Sequence, residues 1–139
     1  MGDENRVLVV DDDPYDQALI RSAFSRVGSD AVIDVVPEAS GAIGQLSDGY
    51  RPTMAIVDLK LGAESGLEVI RWVREESTIP WLPMVVMSGS DDRTDVRSSY
   101  EAGANAYLVK PGSLEEIDDL VRRIDAFWLG ACALAGDES

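Results

Sequence analysis

Residues 7–14 read Val7-Leu8-Val9-Val10-Asp11-Asp12-Asp13-Pro14, a continuous apolar run followed at once by three aspartates and a proline. Four consecutive apolar residues, three of them β-branched, are typical of a strand that is buried on both faces. Asp13 and Pro14 then suit the N-cap and the first position of a helix. This stretch predicts a strand, a short acidic loop and a helix, the first unit of an alternating β/α chain.

The same kind of apolar run recurs four more times, at residues 31–36, 54–57, 84–87 and 106–109. The stretches between the runs carry apolar residues at i, i+3 and i+4, which predicts helices near 14–27, 38–47, 67–73, 91–102 and 117–128. The pattern predicts an α/β fold with a five-stranded parallel sheet covered on both faces. The fourth helix has little apolar surface, so we expect it to be weakly anchored and mobile.

Length and composition limit the functions that this chain can have. Its 139 residues favour one domain over 1–139, with a core of about 6–129 and a tail, 130–139, too short for an output domain. The net charge of −14, from 12 basic and 26 acidic residues, disfavours nucleic acid and anionic membranes as partners. No apolar stretch approaches a membrane span and the first residues are acidic, so we expect a cytoplasmic protein. With no histidine and a single cysteine, Cys132, chemistry must come from carboxylates.

Polar residues stand directly after four of the five apolar runs. Asp11 and Asp12 follow the first run, Asp58 the third, Ser88 the fourth and Lys110 the fifth. Right-handed crossovers bring the carboxyl ends of parallel strands to one edge of a sheet, where ligands bind. In a 2-1-3-4-5 strand order, the winding reverses between strands one and three. The carboxylates are therefore expected to meet in the crevice at that point.

The chemistry of these residue types indicates phosphoryl transfer assisted by a metal. Crowded carboxylates repel one another unless a cation compensates them, and hard oxygen ligands without histidine or cysteine favour Mg²⁺. Lys110 and Ser88 supply the charge and the hydroxyl that phosphoryl oxygens need. Asp58, alone at the end of the central strand, is the best-placed nucleophile for an aspartyl-phosphate.

From Arg6 to about Leu129 the chain resembles a response-regulator receiver domain. Four motifs carry the resemblance: Val9-Val10-Asp11-Asp12, Ala55-Ile56-Val57-Asp58, Met87-Ser88-Gly89 and Val109-Lys110-Pro111. The resemblance implies a flavodoxin-like (βα)5 fold, doubly wound, with strand order 2-1-3-4-5. It also implies a single-domain regulator of a two-component system.

The resemblance further implies a role for each site residue. Asp58 would accept a phosphoryl group from the phosphohistidine of a sensor histidine kinase or phosphotransfer protein. Asp12, Asp58 and the backbone carbonyl of Lys60 would hold Mg²⁺, with Asp11 supporting the metal through water. Lys110 would pair with the phosphoryl group. Such a chain is a phosphoacceptor that slowly dephosphorylates itself, and it does not turn over an external substrate.

The switch implied by the resemblance joins Ser88 to Tyr107. The Ser88 hydroxyl would move toward the phosphoryl oxygen, and the aromatic ring of Tyr107 would swing inward behind it. This coupling would reshape the face built from the fourth helix, the fifth strand and the fifth helix. We expect a homodimer or a kinase complex to form through that face.

Several positions depart from the family pattern or extend it. Gly62 stands where many receivers have proline, which predicts a mobile loop after Asp58. The peptide between Lys110 and Pro111 is cis in similar proteins. Phe127-Trp128 resembles the end of regulators associated with phytochrome-type kinases, although two aromatics that close the core would look the same.

Two other functions stay open at this point. A magnesium-dependent aspartyl phosphatase of the haloacid-dehalogenase type would use Asp11 as nucleophile and Asp13 as acid. A non-phosphorylated pseudo-receiver would bind a partner through the same fold. The complete set of Asp11, Asp12, Asp58, Ser88 and Lys110 argues against the pseudo-receiver, because a lost activity leaves no reason to keep clustered negative charge.

Overall fold

Seven strands lie within residues 4–132, the part of the chain that the computed structural model describes. They are β1 (Arg6–Val10), β2 (Val32–Val36), β3 (Met54–Val57), β4 (Lys60–Leu61), β5 (Glu64–Ser65), β6 (Met84–Ser88) and β7 (Ala106–Val109). Five of them pair in parallel in the order β2-β1-β3-β6-β7, while β4 and β5 form a separate antiparallel hairpin. Counted along the sheet alone, this order is the predicted 2-1-3-4-5.

The described residues also form five α-helices: α1 (Pro14–Arg26), α2 (Ala39–Ser47), α3 (Gly66–Glu75), α4 (Arg93–Ala102) and α5 (Leu114–Ala126). Helices α1 to α4 connect successive strands of the parallel sheet, and α5 follows its last strand, β7. A π-helical turn over Phe127–Ala131 follows α5. The α/β fold predicted from the apolar runs and the flavodoxin-like arrangement implied by the resemblance are both confirmed, with most element boundaries shifted by one or two residues. The hairpin was not predicted, because two-residue strands show no periodicity in the sequence.

The sheet separates two apolar layers, and alternation along β1 shows how the strands supply both. Val7 and Val9 pack with α1 and α5, while Leu8 and Val10 pack with α2 and α3. All four side chains are fully buried. A strand covered on both faces needs apolar residues at every position, which explains the unbroken run in the sequence.

Helix α4 has the thinnest contact with the rest of the fold. Ser99 is its one fully buried residue within the described chain, and its hydroxyl donates to the Asp95 carbonyl of its own helix. The helix ends at Gly103, whose φ of 117° lies in the left-handed region that favours glycine. The weak anchoring expected for this helix is confirmed, whereas its mobility remains a prediction.

The end of α5 closes one apolar layer with a single aromatic side chain. Trp128 packs against the layer under α1 and α5, and Phe127 stands edge-on to it with 53% of its surface exposed. The part of the predicted tail (130–139) that follows Cys132 lies outside the described residues. None of the helices in residues 4–132 has both the length and the apolar character needed to cross a bilayer.

Candidate functional site

The polar residues predicted at the strand ends converge at one edge of the sheet. Asp11 follows β1, Asp58 follows β3, Ser88 ends β6 and Lys110 follows β7. The backbone carries these residues in register, because Asp58 N donates to Val10 O at 2.9 Å and Lys110 N donates to Ser88 O at 2.8 Å. The sheet pairing therefore continues one residue past the strands and fixes the residues that bear the site.

Lys110 lies at the centre of the cluster. Its Nζ donates to Asp16 Oδ2 at 2.7 Å, to Asp58 Oδ2 at 2.9 Å and to Asp11 Oδ2 at 3.1 Å. An ammonium group has three N–H donors, so these three carboxylates account for all of them. One positive charge thus faces three carboxylates in a partly buried site.

The electrostatics of the cluster follow from burial and from this arrangement. Burial lowers the pKa of Lys110, but the hydrogen bonds that its ammonium donates to Asp16 and Asp58 and the nearby negative charges outweigh that effect and leave the pKa raised. Lys110 is therefore charged at neutral pH. Burial raises the pKa of Asp11, and the Asp13 amide and the Lys110 ammonium only partly oppose that effect. The site thus pays a desolvation cost for holding the Asp11 carboxylate.

The three aspartates after β1 have three different placements. Asp11 is buried and its Oδ1 accepts from Asp13 N at 2.9 Å. Asp13 caps α1 by accepting from Tyr15 N at 2.9 Å, as predicted. Asp12 is exposed, and its Oδ2 lies 3.9 Å from the place that a Cβ on Gly62 would occupy. Asp12 therefore borders the hairpin after Asp58, outside the group of carboxylates that Lys110 contacts.

Asp16 belongs to the site although the sequence analysis missed it. Oxygen atoms of Asp11, Asp16 and Asp58 all lie within 4.8 Å of one another. An acidic residue in the first turn of a helix is ordinarily explained by the helix dipole, so its type carried no signal. Its position one helical turn beyond Asp12 could have indicated that it faces the same edge.

Gly66 allows the start of α3 to lie close to the backbone at the end of β3. A Cβ on Gly66 would stand 2.0 Å from the Asp58 carbonyl oxygen and 2.6 Å from Val57 Cγ1, closer than side-chain atoms can approach. Leu59 O also accepts from Gly66 N at 2.9 Å. Glycine at this position therefore allows α3 to start directly beneath Asp58.

The predicted switch residues are linked through Ser90. Ser88 is buried and its Oγ accepts from Ser90 N at 3.2 Å. The hydroxyl of the half-buried Tyr107 donates to Ser90 O at 2.7 Å, and Ser90 Oγ donates to Asp95 Oδ2 on α4 at 2.7 Å. Ser90, which the sequence analysis did not assign to the switch, connects the strand end, the aromatic ring and α4.

The peptide between Lys110 and Pro111 is trans, as are all peptide bonds among residues 4–132. The cis form implied by the family resemblance is therefore wrong for this structure. The trans form is the lower-energy one by about 0.5–1 kcal/mol even before proline. The site contacts of Lys110 are made with this trans peptide in place.

The donors at this edge fit a hard divalent cation. Three carboxylates and one ammonium leave a local charge of about −2, and the chain has no histidine to favour a softer metal. The described contacts of the Asp58 side chain use Oδ2 alone. Its second oxygen, Oδ1, is the atom that can bind a metal or attack an electrophile.

Comparisons with known proteins agree with this site. The profile of the response regulator receiver domain matches residues 7–122. Response regulator Rcp1 of Synechocystis is 27% identical, with 96% of this chain and 98% of Rcp1 covered. The probable methanogenesis regulatory protein FilR2 of Methanothrix harundinacea is 32% identical, with 89% and 83% covered.

Solved structures give the same result. The phosphorylated cyanobacterial phytochrome response regulator RcpA has a TM-score of 0.88 at 26% identity, with 96% of this chain and 99% of that chain covered. The Mn²⁺-bound form of Rcp1 has a TM-score of 0.84 at 26% identity, with 95% and 99% covered. With the strand order and the cluster around Lys110, these matches show that the chain belongs to the response regulator receiver domain family.

Proposed function

We propose that Asp58 accepts a phosphoryl group from the phosphohistidine of a sensor histidine kinase or phosphotransfer protein. The contact of Lys110 with Asp58 at 2.9 Å is the observation that carries this proposal, because it pairs a nucleophilic carboxylate with a fixed positive charge. Asp58 Oδ1 would form the new P–O bond while the P–N bond of phosphohistidine breaks. The electron pair of that bond stays with the imidazole nitrogen, which is then free to take up a proton.

Lys110 suits the transfer because two of its contacts need not change. Asp11 and Asp16 would keep the ammonium in place while its third N–H turns from Asp58 Oδ2 to an oxygen of the phosphoryl group. The Ser88 hydroxyl, at the neighbouring strand end, would donate to another phosphoryl oxygen. These donors would already be in position when negative charge develops on the phosphoryl oxygens, which lowers the barrier to phosphoryl transfer.

Mg²⁺ is the proposed cofactor, held by Asp12, Asp58 and the carbonyl of Lys60, with Asp11 contributing through water. A bound dication would neutralise the negative charge that the phosphoryl group adds to the cluster. The donor types support the assignment, as do the Mn²⁺-bound form of the relative Rcp1 and the charge of about −2 at the site.

The proposed output is a change at the face formed by α4, β7 and α5. Ser90 joins Ser88 and Tyr107 to α4, the helix with the thinnest contact with the core. Movement of the Ser88 hydroxyl toward the phosphoryl group would break its contact with Ser90 N and release this connection. A phosphoryl group would thereby bias a helix that is weakly held, which is how local charge changes switch a surface.

Homodimerisation or kinase binding through this face is part of the proposal. A shallow groove of about 530 Å³ on α4 is lined by two arginines, one glutamate and two apolar side chains, of which Tyr100 is 49% exposed: Arg93, Val96, Arg97, Tyr100 and Glu101. The two arginines outweigh Glu101 and leave the groove with a net positive charge. Two arginines on a chain with a net charge of −14 favour an acidic partner, and a second copy of this chain offers such a surface. The likeness to the phytochrome response regulator RcpA supports a kinase of the phytochrome type. A cytoplasmic location, expected from the sequence, is part of the same proposal.

Phosphate uptake from a small-molecule phosphodonor tests the proposal. The wild type, Asp58→Asn and Asp13→Asn would be incubated with acetyl phosphate, with Mg²⁺ or with EDTA, and their intact masses measured. We expect one phosphoryl group on the wild type and on Asp13→Asn, in Mg²⁺ only, and none on Asp58→Asn. Asp13→Asn is the matched control, because it removes a carboxylate of the same loop, and that carboxylate is the N-cap of α1.

Equal uptake by Asp58→Asn and the wild type would contradict the assignment of Asp58. Uptake lost in Asp13→Asn but kept in Asp58→Asn would instead favour the phosphatase-type site. A wild type that takes up no phosphate from any donor would leave the pseudo-receiver as the better description.

A further inference from the structure

Helix α2 begins without a cap from its own N-cap residue. Glu38 has the extended backbone of an N-cap, with φ −128° and ψ 147°, but its side chain makes no capping hydrogen bond. The first N–H groups of a helix have no partner inside the helix and need an acceptor elsewhere. Here Glu64 supplies it from 25 residues away, as its Oε1 accepts from Ala39 N at 2.7 Å and from Ser40 N at 3.3 Å.

Glu64 lies in the hairpin that follows Asp58. It pairs with Leu61, and Lys60 pairs with Ser65. Leu61 is 3% exposed and anchors β4 in the apolar layer, so β4 is held by packing. Strand β5 contacts the rest of the fold through polar groups instead, because Glu64 accepts hydrogen bonds from the start of α2.

The turn of this hairpin has little to hold it in place. Gly62 has a φ of +65°, a conformation that glycine adopts without strain, and both Gly62 and Ala63 are exposed. The same turn borders Asp12, whose Oδ2 lies 3.9 Å from the Cβ position of Gly62. The position of the hairpin therefore determines what surrounds Asp12 at the acidic edge.

We propose that Glu64 is a positioning residue for the phosphorylation site: it attaches the hairpin to the start of α2 and so holds the Lys60 carbonyl and the Gly62 turn at the acidic edge. This inference rests on the proposed function, in which that carbonyl is a metal ligand. A carboxylate at a helix N-terminus gains both charged hydrogen bonds and the favourable end of the helix dipole. A cap from residue 38 would satisfy α2 equally well but would leave β5 without its contact with α2.

Four variants distinguish positioning from simple helix capping. Glu64→Ala removes the contact, and Glu64→Gln keeps an acceptor oxygen without the charge. The double variant Glu38→Ser/Glu64→Ala gives α2 a local cap while the contact between β5 and α2 stays broken. Glu68→Ala is the matched control, because Glu68 is an exposed acid in the first turn of the adjacent helix α3.

Two measurements are made on the full chain: amide hydrogen exchange across residues 60–65 without metal, and Mg²⁺ affinity by titration calorimetry. In Glu64→Ala we expect hairpin exchange to become about fivefold faster and Mg²⁺ affinity to fall about fivefold. Loss of a helix-capping contact would lower the population of the hairpin conformation that binds the metal by about this factor. Glu64→Gln should be intermediate, and Glu68→Ala unchanged. The double variant should recover thermal stability, but neither hairpin protection nor Mg²⁺ affinity.

Unchanged hairpin exchange in Glu64→Ala would overturn the inference, whatever the metal does. Recovery of Mg²⁺ affinity in the double variant would also overturn it, because Glu64 would then act as a helix cap only. Faster exchange with wild-type Mg²⁺ affinity would refute the positioning role while leaving the proposed function intact. A wild type that binds no Mg²⁺ would contradict the proposed metal site and, with it, the role given to Glu64.

Discussion

Replacing Lys110 with methionine tests whether its ammonium group holds the acidic cluster together. The substitution keeps a long, unbranched side chain and removes the charge that lies 2.7–3.1 Å from oxygens of Asp11, Asp16 and Asp58. Three carboxylates would then face one another without the positive charge that compensates them. Metal-free protein should lose stability as a result.

The size of the loss follows from burial. The Lys110 side chain is 19% exposed and those of Asp11, Asp58 and Asp16 are 3%, 12% and 25% exposed, so solvent screens the contacts only in part. Removing one partner from ion pairs buried to this degree costs about 3–5 kcal/mol. For a domain of this size, that is a decrease in Tm of roughly 10–20 °C.

Thermal unfolding in EDTA and in Mg²⁺, with NaCl added to equal ionic strength, measures the effect. Lys60→Met is the matched control, because it removes the other lysine of the chain at an exposed position beside the same edge. We expect Mg²⁺ to raise the Tm of Lys110→Met more than that of the wild type, since the dication becomes the main compensating charge. A Tm for Lys110→Met within about 2 °C of that of Lys60→Met would refute the stabilising role of the Lys110 ammonium. So would a rise in Tm with Mg²⁺ that is no larger than that of the wild type.

Three further predictions concern the same edge of the sheet. Gly66→Ala should destabilise the protein by about 3 kcal/mol or more, measured by urea unfolding, because its Cβ would meet the backbone carbonyl of Asp58 at 2.0 Å; a loss below about 1 kcal/mol would contradict this. Asp16→Asn should slow phosphorylation by acetyl phosphate about three- to tenfold, because the shortest contact of Lys110 loses its negative charge; an unchanged rate would exclude the Asp16 charge from positioning the ammonium. Burial raises the pKa of Asp11, so protons compete with Mg²⁺ from a higher pH than the 3.8 of an ordinary aspartate. Calorimetry should therefore show affinity falling as pH decreases while the pH is still above 3.8, and a constant affinity down to that pH would contradict it.

The fold and most of the site could be predicted from the sequence because both depend on strand ends. Unbroken apolar runs mark buried parallel strands, and parallel pairing brings the residues after them to one edge. Asp58 and Lys110 are 52 residues apart in the chain, yet this rule places both at the same edge of the sheet, where the long Lys110 side chain contacts Asp58 at 2.9 Å. The capping role of Asp13 was equally predictable, because Asp followed by Pro is a local signal.

The residues that were missed act from a helix, a very short strand and a loop. Asp16 reaches the site from the first turn of α1, where an acidic residue needs no special explanation. Glu64 caps a helix 25 residues away, and no local pattern predicts such a contact. Ser90 owes its role to a loop conformation that brings it to Tyr107 and α4, which periodicity cannot show.

The position of the phosphoryl group shows whether Asp58 is the phosphoacceptor. Protein treated with acetyl phosphate and Mg²⁺ would be reduced with borohydride, which converts an aspartyl-phosphate to homoserine, then digested and mapped by tandem mass spectrometry. We expect homoserine at Asp58 in the wild type and none when Mg²⁺ is withheld. Homoserine at Asp11, or at no aspartate under conditions in which the protein binds Mg²⁺, would contradict it.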